Sequence, residues 1–145
     1  MLHDREFALL ETLKLNPGAS HTLIDQAPRD IGGTLPSEYL EVIERANGGE
    51  GFVGGGGFLE LWPIEEIAEV SAANEFEQSA SGLVPFASDG GGNVFAFDRH
   101  SPATSIVELP LIGISRHDAE TRANSIGELL TYLARQRREP LHASL

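Results

Sequence analysis

Six residues near the middle of the chain match a pattern that binds dinucleotides in other proteins. Residues 49–54, GEGFVG, are a literal G-x-G-x-x-G. A dinucleotide site needs a strand before this motif and a helix after it, so that the pyrophosphate meets a helix N-terminus. The order is reversed here, because a helical pattern precedes the glycines and an alternating strand pattern follows them at 58–62. We therefore interpret the glycines as a flexible loop with left-handed turns and predict no nucleotide cofactor.

A second candidate site surrounds another glycine-rich turn. Asp89, Asn93 and Asp98 flank residues 90–92 and carry the oxygen ligands that calcium prefers. An EF-hand-type loop alternates its ligands and ends in a glutamate about twelve residues on, and this stretch does neither. Strand alternation also points Asn93 and Asp98 to opposite faces, since their spacing is odd. We predict no metal site, and interpret Asp89 as a turn residue whose carboxylate accepts bonds from nearby backbone amides.

The residue types that usually carry catalysis form no arrangement that indicates an active site. The five histidines are scattered without i, i+3 or i, i+4 pairs, and no serine lies in a G-x-S-x-G context. The chain has no cysteine, which excludes disulfides and thiolate chemistry and is compatible with a reducing compartment. Glu65, Glu66 and Glu69 cluster on a predicted helix, where such a run is usually a solvated face. We predict no catalytic residues and no enzyme activity.

Charge is the most informative bulk property of the sequence. The formal net charge is −12, from 10 Lys and Arg against 22 Asp and Glu. Residues 1–114 hold 18 of the acidic and 5 of the basic side chains. Such a body repels nucleic acid and attracts basic protein partners. The alternative is a surface that is acidic only for solubility.

Length and hydropathy predict one soluble domain over residues 1–145. A chain of 145 residues is long enough to bury a sizeable core, and its hydrophobic fraction of 41% is ordinary. No apolar run approaches the roughly 20 residues of a membrane span, so we predict no membrane contact. The N-terminus has acidic groups early and lacks the apolar core of a signal peptide, which predicts a cytoplasmic location.

Hydrophobic periodicity predicts a mixed α and β domain. Pro28 lies inside the second helical pattern, so we expect that helix to stop or kink near Ala27. Pro85 has no N–H for a ladder, which predicts an edge or irregular position in its strand. Residues 94–97 are apolar on both faces, which is typical of a central strand. We predict helices at 3–14, from Ser20, at 36–46, at 64–70 and at 125–136, strands at 58–62, 83–87, 93–98 and 105–109, an extended 111–114, and a loop or frayed helix at 71–82.

Four blocks of sequence together resemble one family. They are LPSEYLEVIERANGGEG (35–51), FLELWPIEEI (58–67), GLVPFASDGGGNVFAFD (82–98) and SIGELLTYL (125–133). In order and spacing they resemble the SUKH superfamily, which includes the Smi–Knr type cell-wall regulators, over roughly residues 20–135. That family typically shows a Leu-Pro-x-x-Tyr helix ending in Asn-Gly-Gly, a strand ending near Trp-Pro, a Ser-Asp-Gly-Gly-Gly hairpin and a closing helix. The matching residues here are Leu35, Pro36, Tyr39, Asn47, Gly48, Gly49, Leu61, Trp62, Pro63, Ser88, Asp89, Gly90, Gly91, Phe95 and Asp98.

The resemblance implies an α+β fold, with a mostly antiparallel sheet and helices packed around it. It implies no known catalytic activity and no cofactor. Many bacterial members resemble immunity proteins that bind and neutralise polymorphic toxins, often nucleases, whereas fungal members resemble regulatory scaffolds in cell-wall synthesis. A nuclease toxin is basic around its substrate groove, so an acidic inhibitor is steered toward it.

We therefore predict a protein-binding domain whose partner is a basic toxin domain. The predicted contact groups are acidic side chains beside exposed loops, namely Glu50, Glu60, Asp89 and Asp98. One alternative is a regulatory interaction module with a non-toxin partner, which the same fold would serve. Another is a small enzyme that uses carboxylates, which would require a deep pocket with convergent groups of shifted pKa.

Overall fold

The computed structural model of this protein describes residues 2–101 and 105–136, which form a seven-stranded antiparallel sheet with six α-helices packed around it. This architecture confirms the predicted α+β fold. Two short 3-10 helices cover Val53–Gly55 and Arg116–Asp118. The α-helices are α1 (Asp4–Leu10), α2 (His21–Ile31), α3 (Ser37–Arg45), α4 (Ile64–Ala73), α5 (Phe76–Ser79) and α6 (Ile126–Ala134). The strands are β1 (Lys14–Leu15), β2 (Gly49–Phe52), β3 (Phe58–Leu61), β4 (Leu83–Ser88), β5 (Asn93–Asp98), β6 (Ile106–Pro110) and β7 (Glu120–Ala123).

The sheet is a meander in which each strand pairs with the strands before and after it in the chain. Every pairing is antiparallel. The predicted hairpin is present as β4 and β5, near the middle of the sheet. β4 is irregular at Pro85, as predicted, since its register with β5 shifts between Pro85 and Ala87. The bulge turns Phe86 and Ala87 toward the same core, which alternation alone would not allow.

One face of the sheet, here called the inner face, packs against the helices in the larger of two cores. Tyr39 of α3 meets Phe86 and Phe97 edge-on, with ring centroids 5.7 and 5.3 Å apart. Phe86 and Phe97 stack on each other with centroids 4.1 Å apart. Offset and edge-on pairs of this kind add stability beyond their buried area. α6 closes the same core with Ile126, Leu129, Leu130 and Leu133.

The opposite, outer face carries a smaller second core over its C-terminal strands. Phe76 and Ala80, from α5 and the residue after it, pack there against β5. Val94 and Ala96 face this second core, while Phe95 and Phe97 face the first. The prediction that residues 94–97 form a strand covered on both faces is therefore confirmed. The second core also includes Leu83, Val107 and Leu109, with Trp62, Leu111, Ile114 and Ala119 packed at its margin.

Asn47 joins three segments of the chain through a buried hydrogen-bond network. Its side-chain Oδ1 accepts from the backbone N–H of Ile64 at 2.7 Å, and its Nδ2 donates to Glu65 at 2.7 Å. Its backbone N–H donates to Pro17 O at 2.9 Å, and its backbone carbonyl accepts from Asn16 Nδ2 at 3.1 Å. The first N–H groups of a helix have no partner inside the helix. Asn47 therefore caps α4 from a distance and ties it to the end of α3 and to the 16–17 segment.

The two glycines after Asn47 allow the close approach that this network needs. Gly48 has φ +92°, and a Cβ there would lie 2.8 Å from the carbonyl oxygen of Leu61. At Gly49 a Cβ would lie 2.6 Å from the carbonyl oxygen of Lys14 in β1. A side chain at either position would force the neighbouring backbone apart. In the Asn-Gly-Gly sequence, the asparagine is therefore needed for hydrogen bonding and the two glycines for close packing of the backbone.

The flexible loop predicted for the glycine motif is wrong in its first half. Residues 49–52 form β2, which pairs with β1 on one side and β3 on the other. Alternate positions of this strand are glycines, so no alternation of apolar and polar side chains indicates it. The left-handed turns follow it, at Gly54 and Gly55 with φ +55° and +79°.

Five other segments differ from the sequence-based prediction. The first helix, predicted at 3–14, ends at Leu10, and Lys14–Leu15 pairs with β2 instead. α2 continues through Pro28 to Ile31, because a proline in the last turns removes only one hydrogen bond and Gly32 at φ +76° ends the helix. Residues 111–114 form a turn rather than an extended segment. Residues 71–82 contain the end of α4 and the short α5, and β7 at Glu120–Ala123 was not predicted.

Replacing Asn47 by Ala is expected to lower the free energy of unfolding by about 2 kcal/mol, because it leaves the Ile64 N–H without its acceptor in a buried position. Asn74→Ala is the matched control at the other end of α4, where Asn74 Nδ2 makes a single bond to Val70 O at 2.9 Å. We expect that control to lose less than about 1 kcal/mol. Urea unfolding of the two variants measures the difference. Equal losses would contradict the bridging role of Asn47.

Tyr39→Phe is expected to change the free energy of unfolding by less than about 1 kcal/mol at pH 7, because the buried Tyr39 hydroxyl has no hydrogen-bond partner among the described residues. Burial, with a smaller contribution from Glu65, raises the pKa of Tyr39. A pKa raised by folding favours the neutral form in the native state, so stability falls as pH rises above the unfolded-state value of about 10.

The Phe variant should therefore lose less stability than the wild-type protein between pH 9 and 11. Tyr39→Ala is the contrasting variant, since it removes the ring that packs on Phe86 and Phe97 and should cost about 3–5 kcal/mol. Denaturant unfolding across this pH range gives both results. A large loss in the Phe variant at pH 7 would show that the hydroxyl has a stabilising contact.

Candidate functional site

Two of the four predicted contact residues lie directly opposite each other in the sheet. Glu50 of β2 pairs with Glu60 of β3, and both side chains project from the outer face. Like charges in opposite positions of an antiparallel pair are destabilising. Lys14 of β1 is the cross-strand neighbour of Glu50 on the other side. The pairing concentrates negative charge on the part of the outer face that lies beyond the second core.

Aromatic side chains follow the same two strands. Phe52 pairs with Phe58 in the register, and their rings meet edge-on with centroids 5.2 Å apart. Phe52 remains 41% exposed. Trp62, two residues beyond Glu60, lies half-buried at the margin of the second core. The outer face of β2 and β3 therefore alternates aromatic and acidic residues along its length.

Asp89 lies in the β4–β5 turn, next to this face. Its Oδ1 accepts from the backbone N–H groups of Gly91 at 2.7 Å and Asn93 at 3.1 Å, which is the turn role expected for it. The adjoining Gly90 approaches Phe58 so closely that a Cβ there would lie 2.6 Å from the ring. The hairpin turn and the aromatic end of β2 and β3 thus form one continuous surface.

The carboxylates of Glu50 and Glu60 border an open groove of about 390 Å³, here called the acidic groove. Glu66 from the first turn of α4 is the third carboxylate that lines it, and Lys14 is the lysine at its margin. Trp62 and Pro63 provide its apolar wall. From the sequence alone, Glu66 is expected on a solvated helix face. Only the position of α4 against the end of β3 brings it to the groove.

Asp98, the fourth predicted contact residue, lies elsewhere. It is at the opposite end of β5 from Asp89 and pairs with Leu83 in the register. Its carboxylate accepts from both terminal nitrogens of Arg116, at 3.1 and 2.5 Å, and from the backbone N–H of His100 at 2.9 Å. Its side chain is 17% exposed. This bidentate pair holds the segment after β6 against the outer face, which is a structural use of the carboxylate.

Arg122 and Arg99 are also held within the fold. Hydrogen bonding to Glu108 at 2.8 Å, followed by that to Glu120, raises the pKa of Arg122. Burial lowers the pKa of Arg99, which donates to Thr34 O at 3.0 Å and lies against Gly33. These arginines bind within the chain. In the acidic groove, by contrast, Glu50 and Glu66 are exposed and Glu60 is half-buried.

The described residues contain no candidate metal cluster and no candidate membrane-spanning helix. No cluster of three or more His, Asp or Glu side chains suited to a metal ion occurs within 2–101 and 105–136. In the same ranges, no helix has the length and apolar character needed to cross a membrane. His3, His21, His100 and His117 are all exposed and lie apart in the chain. His142 lies outside the described residues.

The sequence blocks singled out above overlap a match to a known protein family. The sequence pattern of the SMI1/KNR4 family (SUKH-1) matches residues 18–131. The chain belongs to this family. Its members are generally non-catalytic, and the family is associated with protein–protein interaction. A comparison with curated proteins found no match. The resemblance inferred from the four sequence blocks is confirmed, and Asn47, Gly48 and Gly49 have the structural roles described above.

Replacing Glu60 by Gln is expected to raise the free energy of unfolding by about 0.5 kcal/mol at low ionic strength, because it relieves the repulsion from Glu50 across the strands. Glu69→Gln, at an exposed position on α4, removes the same charge without a cross-strand carboxylate and should change stability less. The difference should shrink in 1 M salt, where the screening length falls to about 3 Å. Urea unfolding at two salt concentrations tests this. A gain that does not depend on salt would contradict the charge explanation.

Proposed function

We propose that this protein is a non-catalytic binding domain of immunity type, which binds and neutralises a basic toxin domain through the acidic groove. The observation that carries the proposal is the convergence of Glu50, Glu60 and Glu66 on a groove whose wall contains the half-buried Trp62, with the exposed Phe52 on the same strand as Glu50. Charge at an interface determines which partners approach and how fast, while aromatic residues supply most of the binding energy. The same surface offers both.

Charge favours a basic protein over nucleic acid as the partner. The net charge of −12 repels phosphate backbones and attracts proteins that bind them. A nuclease toxin must carry a positive groove for its substrate, and a carboxylate-rich surface is complementary to such a groove. An inhibitor of this kind needs no catalytic residues, since it acts by covering the toxin's groove. It would act in the cytoplasm, where such a toxin meets nucleic acid.

Membership of the SMI1/KNR4 family supports this proposal, because the family is generally non-catalytic and commonly includes immunity-type proteins. The shape of the acidic groove supports it as well. An enzyme would need a deep pocket in which catalytic groups converge out of solvent. The acidic groove is instead an open surface feature, bordered by β1, β2, β3 and the start of α4.

Co-expression with the toxin domain encoded beside this chain tests the proposal. We expect the wild-type protein to restore growth and to bind the purified toxin. The double variant Glu50→Gln/Glu60→Gln should bind at least about tenfold more weakly at low salt, mainly through slower association, and the gap should narrow as salt rises. Surface plasmon resonance separates the two rates.

Asp25→Asn/Glu44→Gln is the matched control, because it removes two negative charges from exposed positions on α2 and α3. We expect it to bind nearly as well as the wild-type protein. An equal loss in both double variants would show that net charge, and not the acidic groove, determines binding. Absence of a neighbouring toxin, or a wild-type protein that neither binds nor protects, would overturn the immunity proposal and favour a regulatory partner.

A further inference from the structure

Among the described residues, Lys14 is the basic side chain that lines the acidic groove. It is also the sole lysine of the chain. In the sheet register Lys14 lies opposite Glu50, which in turn lies opposite Glu60. Residues in directly opposite positions project from the same face of a sheet. One row of side chains across β1, β2 and β3 therefore carries one positive and two negative charges.

The same row continues across the sheet and confirms which face these charges occupy. Glu60 pairs with Ser88 of β4, and Ser88 pairs with Val94 of β5. Val94 belongs to the second core, which lies on the outer face. Lys14 and Glu50 at the start of the row are exposed, and Glu60 is half-buried. The mixed charges of the row are therefore accessible on the outer face.

The charges at the groove are not used to hold the fold together. Within the described ranges, no ion pair includes the charged side chains of the groove, which are Lys14, Glu50, Glu60 and Glu66. Glu50 nevertheless attracts the Lys14 ammonium across the strands, because opposite-charge pairs in facing positions are favourable. This attraction favours the side-chain conformations that keep the ammonium over the groove.

A lysine in this position opposes basic partners in general. A basic surface laid on the groove is attracted by Glu50, Glu60 and Glu66 but brings like charge against Lys14. Contacts between like charges suppress wrong partners at an interface, and an ammonium that is covered without a counter-charge also loses its hydration. Both costs disappear when the partner places a carboxylate against Lys14.

We propose that Lys14 is the specificity residue of the acidic groove and selects a toxin domain that holds a carboxylate beside the cations that meet Glu50 and Glu60. This role rests on the proposed function and adds the charge pattern of the partner. The pattern is one negative and two positive groups, separated by about the 4.7–4.9 Å spacing of adjacent strands. A nuclease fits it, because carboxylates that bind its metal ions lie within a basic groove. Glu50 and Glu60 then speed association, while Lys14 discriminates between basic partners.

Surface plasmon resonance with two basic proteins tests the role of Lys14. One is the toxin domain encoded beside this chain, and the other is cytochrome c, an unrelated basic protein. Lys14→Gln should raise the Kd for the toxin domain by about fivefold or more, through faster dissociation, because the partner carboxylate loses its counter-charge. The same variant should lower the Kd for cytochrome c by about twofold at low salt, because the groove becomes more negative.

Two control variants and one labelling experiment isolate the charge at position 14. Lys14→Arg keeps the positive charge and should stay within about threefold of wild type for both proteins. Arg5→Gln removes the same charge from an exposed position on α1 and should change both Kd values in the same direction, by less than about twofold. Because the chain has one lysine, acetylation of its side-chain amine reports on Lys14 alone. Bound toxin domain should slow this acetylation, measured by mass spectrometry of the peptide that contains Lys14.

The outcomes separate the specificity role from the proposed function. If Lys14→Gln binds the toxin domain as tightly as wild type or more tightly, the specificity role is wrong and the immunity function stands. If the wild-type protein does not bind the toxin domain, the proposed function is wrong and the specificity role falls with it. A lysine on a short edge strand also prevents two sheets from pairing edge to edge. Self-association of Lys14→Gln in sedimentation, absent from wild type and Lys14→Arg, would assign that task to Lys14 and overturn the proposal.

Discussion

Asn47 joins the fold through both its side chain and its backbone. Its buried side chain caps α4, while its backbone carbonyl accepts from Asn16 Nδ2 and its backbone N–H donates to Pro17 O, so the residue joins the ends of two helices to the segment after β1. Gly48 and Gly49 allow the strand and the loop to come close enough for these bonds. Because α4 is placed from its first residue, Glu66 reaches the acidic groove. The hydrogen bonds of Asn47 therefore stabilise the fold and also position part of the proposed interface.

The two faces of the sheet have separate tasks. The inner face buries the aromatic stack of Tyr39, Phe86 and Phe97 under the helices, and the second core covers the C-terminal strands of the outer face. The N-terminal strands of the outer face remain accessible and carry Glu50 opposite Glu60. Like charges in directly opposite positions are destabilising. An accessible, locally unfavourable surface on a well-packed scaffold is typical of a binding protein.

Much of the fold could be predicted because its signals are local. Helical periodicity, the Asn-Gly-Gly stop and the glycine-bearing hairpin each depend on neighbouring residues, and the charge imbalance is visible from composition. β1, β2 and β7 were missed or assigned to other structures, because two are very short or glycine-rich and the third is polar on most positions. Such strands are stabilised by their partners across the sheet and not by a pattern of their own.

By itself, the sequence determined the class of the fold, its family, its acidic character and the absence of a plausible nucleotide motif. Only the tertiary structure decided which carboxylates lie together. Strand register placed Glu50 opposite Glu60, α4 brought Glu66 to them, and Asp98 pairs with Arg116 elsewhere on the sheet. The exposure of Ile112 could not be predicted from the sequence either, because it depends on Leu111 and Ile114 packing against the second core on either side of it. Residues distant in sequence meet through pairing and packing, and these contacts decide which side chains a partner can reach.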